Sequence, residues 1–156
     1  MSLERVKAYL KQFGAENRII EFPVSSATVE LAAQALGCEP CRIAKTLSFA
    51  VKEKTILIVT AGDCKIDNGK YKAYFHTKAK MLTAEEVIKC IGHAIGGVCP
   101  FGVPENVEIY LDESLKRFKS VYPACGSSNS AIEVTPEELK NYTPTSTWID
   151  VCKQMV

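Results

Sequence analysis

The chain has no long hydrophobic run, no excess of charge of one sign and only two histidines. Its densest aliphatic stretch, residues 56–59, is far shorter than the ~18 residues that span a bilayer, so we expect no membrane segment. The N-terminal residues reach charge at once and predict no secretory signal. Nineteen Lys and Arg against eighteen Asp and Glu give a formal charge of +1. This near neutrality argues against a strong overall field for DNA or polyanions, and leaves only local patches for binding nucleic acid.

Length and cysteine content predict one domain in a reducing compartment. The chain has 156 residues, of which 47% are hydrophobic and 24% charged, typical of a single globular unit over residues 1–156. Its seven cysteines are an odd number in a chain long enough to build its own core. They suit reduced thiols better than a disulfide framework, so we expect a cytoplasmic protein.

Helical patterns are spread along the chain between strand patterns. Apolar residues at three- and four-residue steps predict a helix over residues 3–13, and good helix formers predict another over residues 28–36. Capping boxes at Thr83 and Thr135 open two further helices. The segment 113–118 predicts one or two helical turns.

The strand patterns do not alternate regularly with these helices. Predicted strands cover residues 18–22, 45–51, 55–61, 107–111, 120–124, 131–134 and 148–152. The second and third form a hairpin with a charged tip, and local chemistry in residues 63–69 favours a turn. Because regular strand-helix-strand units are missing, we predict an α+β fold with an antiparallel or mixed sheet and helices at its ends and on one face.

Cys38 and Cys41 form a CxxC pair, which is found in redox dithiols and in zinc sites. A reactive dithiol needs its first thiolate at a helix N-terminus, whereas this pair follows a helix that ends at Gly37. A structural zinc site needs two more ligands, and neither the other cysteines nor His76 and His93 form a second close pair. We interpret the pair as ordinary thiols, and expect no metal and no cofactor.

A lysine-rich segment occupies residues 63–80. It contains five lysines and two aspartates with four aromatic or histidine side chains between them. Lysines that meet phosphates and aromatics that stack on bases are typical of a nucleic-acid surface. The alternative is a solvated helix face whose aromatic side is buried.

A glycine loop, Gly-Gly-Val-Cys-Pro-Phe-Gly at residues 96–102, lacks the Lys-Ser/Thr ending of a phosphate-binding P-loop. Its bare backbone could donate N–H groups to a carbonyl or an oxyanion, or it could be only a tight turn. Lys45 begins a predicted buried strand, where a lysine must extend to solvent, pair or face a cavity. No serine lies in a nucleophile elbow and the histidines form no dyad, so no nucleophilic triad is predicted.

Three segments, residues 37–47, 62–70 and 92–102, together resemble the signature regions of the YbaK/prolyl-tRNA-synthetase-associated domain family in order and spacing. The most specific parts are the Lys-Thr-Leu strand start and the Gly-Gly-x-x-Pro-x-Gly loop. The resemblance spans nearly the whole chain. It implies a mixed sheet curled into a partly closed barrel, helices packed around it and a pocket between sheet and helices. It also implies that Asp67 begins a helix.

The resemblance implies an activity, the hydrolysis of the ester of a mischarged aminoacyl-tRNA, by a freestanding or synthetase-attached domain without a cofactor. Lys45 matches the family's essential lysine, which orients the substrate. The other positions implied for the substrate are Phe22, Thr28, Thr46, Gly96, Gly97, Pro100, Cys125 and Asn129. Those implied for the tRNA acceptor end are Lys65, Lys70, Lys72 and Lys78.

The reaction explains why a triad is dispensable. An aminoacyl ester is already activated, so a site can hold it, stabilise the developing oxyanion and let water or a substrate group attack. Pocket size would act as a second sieve after that of the synthetase. Small residues at Ala124, Cys125, Ser127 and Ser128 leave cysteine, alanine and serine open as substrates. The Lys-Thr pair resembles the branch that edits cysteinyl-tRNA.

Two other hypotheses remain at this point. One is a catalytically silent module that binds tRNA or a synthetase through the same pocket. The other is a dithiol or zinc protein that uses Cys38 and Cys41. For the deacylase and for the silent tRNA-binding module alike, the near-neutral charge predicts weak, salt-sensitive binding of the acceptor end.

Overall fold

The structure is a computed structural model that describes residues 2–93 and 96–155. The α-helices are α1 (Ser2–Lys11), α2 (Val29–Leu36), α3 (Asn68–Phe75), α4 (Ala84–Cys90) and α5 (Pro136–Tyr142). The strands are β1 (Ile20–Glu21), β2 (Ile43–Val51), β3 (Lys54–Ala61), β4 (Cys64–Ile66), β5 (Glu108–Asp112), β6 (Tyr122–Pro123), β7 (Ser130–Ala131), β8 (Thr147–Ile149) and β9 (Cys152–Gln154). Short 3-10 helices cover Glu16–Arg18, Pro40–Arg42 and Glu113–Arg117.

A five-stranded mixed sheet forms the centre of the fold. Its strand order is β6-β2-β3-β5-β8, with β2 and β3 antiparallel and the other pairs parallel. Two small antiparallel sheets, β1-β7 and β4-β9, flank it. The result is a curled half-barrel with helices around it, which confirms the predicted α+β class.

The β2–β3 hairpin is the longest element of the sheet. Its ladder runs from Ala44 opposite Ala61 to Val51 opposite Lys54. Branched and aliphatic residues fill β3, whose last six residues are all buried. Lys52 in the tight turn has φ +57°, so this charged tip lies in the left-handed region. The hairpin was correctly predicted from local pattern.

Several predicted strands are shorter or divided in the structure. The strand predicted over 18–22 is reduced to β1 because Glu16–Arg18 forms a 3-10 helix. The prediction over 148–152 was wrong as one strand: β8 and β9 are separated where the Val151 N–H donates to Asp112 Oδ1 at 2.9 Å. The turn expected over 63–69 contains β4, which pairs with β9 at the other end of the chain.

The start of α3 agrees with the resemblance rather than with local turn chemistry. Asp67 is the N-cap, and its carboxylate accepts from the Lys70 N–H at 3.1 Å. The predicted capping boxes are present at Thr83 and Thr135, each closed by the glutamate three residues on. Together with Thr28 at α2, side-chain caps therefore define the starts of four α-helices.

Three hydrophobic clusters hold these elements together. The largest joins the sheet to α1 and α3, and contains Val6, Phe49 and Tyr71, all at most 1% exposed. The second packs α4 on β3 through Leu57, and the third packs α2 on Ile43 at the start of β2. Each such buried side chain stabilises the fold by roughly 1.5–3 kcal/mol. Among the described residues, no helix has the length and apolar character to cross a membrane.

Candidate active site

A pocket of about 190 Å³ lies between the N-terminus of α2 and the first residues of β2. Two loops complete its wall: the glycine loop, through Gly96 and Val98, and the segment that joins β6 to β7. The lining is mostly small or apolar, with Ala27, Ala124 and Ala131 among its residues. Such a cavity admits a small, partly apolar chemical group.

Lys45 lines this pocket from the third position of β2. It is half-buried, and its ladder partner is Thr60 of β3, which is fully buried. The Lys45 ammonium has no hydrogen bond or ion pair to any residue in 2–93 or 96–155. A half-buried lysine without an internal partner can donate hydrogen bonds to a bound molecule and attract its negative charge.

Thr46 lines the same pocket, and its hydroxyl is buried with no hydrogen-bond partner among the described residues. Leaving a buried hydroxyl unbonded costs about 1–3 kcal/mol. Thr46 Oγ1 is therefore a buried polar atom whose hydrogen-bonding capacity the described protein atoms do not use.

The N-terminus of α2 adds backbone donors to the pocket wall. The Thr28 side chain caps the helix by accepting from the Leu31 N–H at 3.1 Å. The N–H groups of Val29 and Glu30, in the first turn, have no intrahelical acceptor. Because the helix dipole places partial positive charge here, this edge of the pocket favours an anion or a polarised carbonyl.

The two pocket glycines are required by close backbone contacts. A Cβ on Gly97 would lie 2.5 Å from Ser127 N and 2.6 Å from Gly126 C. A Cβ on Gly96, which has φ +86°, would lie 2.8 Å from Ala27 Cβ. The Gly126 N–H also donates to Gly97 O at 3.0 Å. Glycine is thus needed for the loops to meet at the pocket.

Helix α1 supports the glycine loop from below through Arg5, which the sequence did not indicate. The Arg5 guanidinium lies where a Cβ on Gly92 would be, donates to Ile91 O at 3.1 Å and lies 3.5 Å from His93 Nδ1. His93 Nε2 lies 2.9 Å from Phe101 O, and burial lowers the pKa of this histidine. A neutral His93 therefore links the segment before the glycine loop to Phe101 near the end of that loop.

The structure places the predicted substrate residues in three groups. Thr28, Lys45, Thr46 and Gly96 line the pocket together, and Gly97 packs behind Gly96. Phe22 and Asn129 do not line the cavity but join its neighbouring loops. The Phe22 N–H donates to Asn129 O at 2.8 Å, and Asn129 Nδ2 donates to Phe22 O at 3.0 Å.

Pro100 and Cys125 lie away from the pocket. Pro100 lines a separate cavity with Tyr9. Cys125 is fully buried in the main core, where burial raises the pKa of its thiol well above the ordinary value. Their placement supports the walls of the site rather than contact with a substrate in the cavity.

The four lysines predicted for tRNA contact are exposed but differ in their surroundings. Lys65 lies opposite Lys153 in the β4-β9 ladder, and Lys70 pairs with Asp150 at 3.0 Å. Lys72 and Lys78 lie in or after α3, which packs near the hairpin tip through Phe75. The pocket is at the opposite end of β2.

Neither cysteine of the CxxC pair has the electrostatics of a reactive thiolate. Burial raises the pKa of Cys38, and burial together with Glu39 raises that of Cys41. Cys38 packs against the cluster under α2. Within residues 2–93 and 96–155, His, Cys, Asp and Glu side chains form no group of three that could hold a metal ion.

Comparisons with known proteins agree with this geometry. Residues 24–142 match the family model described as the aminoacyl-tRNA editing domain. The chain is 54% identical over 154 residues to YwhH of Bacillus subtilis, an uncharacterized protein, covering 98% of both. It is 30% identical over 119 residues to EbsC of Enterococcus faecalis, named as a candidate Cys-tRNA(Pro)/Cys-tRNA(Cys) deacylase, covering 74% of this chain and 72% of that protein. A crystal structure described as a candidate trans-editing enzyme for prolyl tRNA synthetase superimposes with a TM-score of 0.87, 33% identity and 97% coverage of both chains.

Proposed function

The chain belongs to the aminoacyl-tRNA editing domain family, and on that premise we propose that it removes a small amino acid from mischarged tRNA, with cysteine favoured. It is a hydrolase that acts on aminoacyl-tRNA. The observation that carries the proposal is the pocket of about 190 Å³ that Lys45 and Thr46 line; Lys45 forms no hydrogen bond or ion pair with the described residues, and the Thr46 hydroxyl is buried without a partner among them. Small volume and unsatisfied polar groups are what a sieve for a small, polar aminoacyl group requires.

Lys45 is the principal functional residue in this proposal. Its ammonium binds the terminal nucleotide or the ester carbonyl and draws electron density towards the oxygen that becomes negative. Val29, the first residue of α2, lines the same wall, and its N–H stabilises that oxyanion. The attacking water adds to the carbonyl carbon and gives the tetrahedral oxyanion. The oxyanion then collapses, the bond to the ribose oxygen breaks, and the proton that the water loses passes to that ribose oxygen, so free amino acid and tRNA are released without a covalent enzyme intermediate.

Thr46 distinguishes among the small amino acids. A cysteine or serine side chain gives the buried hydroxyl a hydrogen-bonding partner, whereas alanine leaves it unbonded. EbsC, which is similar to this chain, is named for cysteinyl substrates. We therefore rank Cys-tRNA(Pro) first, serine next and alanine last.

The physiological setting follows from the substrate. The acceptor end of a charged tRNA is the partner, and a prolyl-tRNA synthetase is the enzyme whose error would supply it. A protein of similar structure is described as a candidate trans-editing enzyme for that synthetase. Charged tRNA is made in the cytoplasm, and all seven cysteines are free thiols, as expected there.

The decisive experiment is a deacylation panel with the full chain. Cys-, Ser- and Ala-tRNA(Pro) are compared with correctly charged Pro-tRNA(Pro), and the release of labelled amino acid is followed over time. We expect cysteine to be released fastest and proline to be spared. Binding of these tRNAs without release of any amino acid would instead identify a silent binding module. Equal release of proline would contradict the sieve.

A further inference from the structure

A groove distinct from the pocket crosses the face formed by the end of the 113–117 helix, the segment before β6 and the start of α5. It consists of two open depressions of about 610 and 750 Å³ that share Phe118, Lys119 and Thr135. Six cationic side chains line it, against three carboxylates. The cations of this basic groove are Arg18, Arg42, Lys116, Arg117, Lys119 and Lys140.

The basic groove meets the pocket at Arg42 and Tyr122. The Arg42 guanidinium lies 5.1 Å from the centroid of the Tyr122 ring, and Tyr122 lines the pocket. Arg42 Nε also donates to Ser120 O at 3.2 Å, which fixes the guanidinium at the groove's edge. A chain that enters the pocket with its terminal residue can therefore continue into the groove.

Two lysines of the groove have no carboxylate partner among the described residues. Lys119 is exposed and makes no hydrogen bond or ion pair there, and Lys140 Nζ donates only to Pro144 O, at 3.1 Å. The four other cations pair at the surface with carboxylates, namely Arg18 with Glu138, Arg42 with Glu133, Arg117 with Asp63 and Lys116 with Glu113. The Arg42 and Lys116 pairs are single contacts at the surface, which are weak and can be exchanged for a phosphate, whereas Arg18 and Arg117 each bond both oxygens of their carboxylates.

Aromatic side chains accompany these charges. Phe118 and Trp148, both half-buried, line the groove, and Lys116 Nζ lies 4.4 Å from the centroid of the Trp148 ring. Positive charge along a groove with aromatic surface is the combination that binds a single-stranded nucleic acid such as the 3′ end that leads into the acceptor stem, because the charges meet phosphates and the rings meet bases.

We propose that the basic groove binds the phosphate backbone of the tRNA acceptor stem while the terminal aminoacyl residue occupies the pocket. The proposal rests on the proposed function and assigns its RNA contacts to a surface other than Lys72 and Lys78. Those lysines lie beyond the far half of β2, because Ala50 of that strand donates to Lys80 O. Lys45 and Ala50 are about 16 Å apart along the strand at ~3.3 Å per residue, whereas Arg42 immediately precedes β2.

The test compares two pairs of lysine substitutions. Lys119→Ala with Lys140→Ala empties the groove of its unpaired charges, and Lys11→Ala with Lys89→Ala, two exposed lysines away from both surfaces and without partners among the described residues, is the matched control. The probe is an RNA hairpin that carries no amino acid and has the acceptor-stem sequence and its single-stranded 3′ end. Its binding is titrated at several salt concentrations. We expect the groove pair to weaken binding at least about fivefold and to lower the salt slope by about 2, roughly 1 per lost phosphate contact. The control pair should change affinity less than about twofold.

A second readout separates the groove from the chemistry. For deacylation of the hairpin carrying cysteine, the groove variant should have a higher KM and an unchanged kcat. Hydrolysis of a cysteinyl ester of adenosine, which has no stem, should be unaffected in this variant. Unchanged hairpin affinity, a larger loss in the control pair or an equal loss on the stemless ester would each overturn the proposal. The binding experiment uses RNA without an amino acid. It therefore tests the groove even if the protein does not hydrolyse the proposed substrate.

Discussion

The pocket and the lysine-rich segment both present lysines, yet their polar groups have different surroundings. In the pocket, the half-buried Lys45 forms no hydrogen bond or ion pair with the described residues, and the Thr46 hydroxyl is buried without a partner. In the segment, Lys70 is bonded to Asp150 and to Cys152 O, and the rings of Tyr71 and Phe75 pack into the core. The Tyr71 hydroxyl also lacks a partner among the described residues, but it lines none of the cavities described above. Burial raises the pKa of Tyr71 to about 12.

This difference teaches that composition and burial report different properties of a segment. Of the segment's aromatics, Tyr71 packs on Phe49 of the sheet and stabilises α3, whereas Tyr74 is exposed. The pocket's groups have little compositional signal, yet the Thr46 hydroxyl is held without an internal partner in the described chain, at a cost in stability. Unsatisfied polar groups in a cavity are the stronger indication of a binding site.

Replacing a lysine in each region should give the largest difference, and the difference is in catalytic efficiency. Lys45→Ala should lower kcat/KM for Cys-tRNA(Pro) by at least about 100-fold, as for loss of a group that stabilises a developing oxyanion. Lys72→Ala, in the segment, should leave it within about twofold. Steady-state deacylation with both variants, at matched thermal stability, measures the contrast. The parent rate in the Lys45 variant would contradict its assigned role.

Replacing a glycine in each region should change the free energy of unfolding by different amounts. Gly97→Ala forces its Cβ onto the backbone of Gly126 and Ser127, so we expect a loss of about 1–3 kcal/mol in the free energy of unfolding and a reduced rate of editing. Gly69→Ala, in the first turn of α3, meets only Asp67 Oδ1 at 3.3 Å and should be neutral or stabilising by up to ~1 kcal/mol. Urea unfolding of both variants decides. Equal stability of the two would contradict the close loop contact.

Threonine substitutions should show opposite effects on activity and stability. Thr46→Val removes an unbonded hydroxyl, so the free energy of unfolding should stay the same or rise by about 1 kcal/mol while the rate for cysteine falls about tenfold. In Thr60→Val the lost hydroxyl bonds Ser114 Oγ at 3.1 Å, and stability should fall by about 1 kcal/mol. A destabilised Thr46 variant with full activity would show that the hydroxyl has a partner in the protein.

The smallest expected effect lies at Asp63, which opens the lysine-rich segment. Hydrogen bonds from Arg117 lower the pKa of this carboxyl from 3.8 to about 2. A depressed folded-state pKa stabilises the fold above the unfolded pKa, and the contribution is lost as the pH falls from about 4 through 2. Both side chains are about one-third exposed, so Asp63→Asn should cost less than about 1 kcal/mol at pH 7. Unfolding free energies of parent and variant should converge towards pH 2, and a pH-independent difference would exclude the ion pair as the cause.

Local chemistry in the sequence was sufficient for elements whose partners are close in the chain. The β2–β3 hairpin and the caps at Thr83 and Thr135 were predicted correctly because turn, pairing and capping residues are neighbours. The strand β4 was not, because its partner β9 lies at the other end of the chain. Local turn chemistry at Asp63–Gly69 therefore prevailed in the prediction.

Local chemistry singled out Lys45 and the glycine loop, whereas Thr28 and Thr46 entered only through the resemblance, and the structure brings all of these to one pocket. Thr28, Lys45, Thr46 and Gly96 belong to different elements, and their meeting in one cavity follows from the sheet and loop contacts. Arg5 had no signal at all, since an arginine on an amphipathic helix normally faces solvent. Its role depends on the absence of side chains at glycines almost a hundred residues away in the sequence.

Helix α1 has a consequence for attempts to excise or transplant the pocket. The family match covers residues 24–142, whereas Arg5 of α1 fills the space beneath Gly92 and contacts Gly102, and Ser2 Oγ donates to Gly92 O. A fragment cut to the matched limits would leave a hole the size of a guanidinium under the glycine loop. Anyone who grafts this site onto another scaffold must therefore carry the amino-terminal helix with it as a structural foundation.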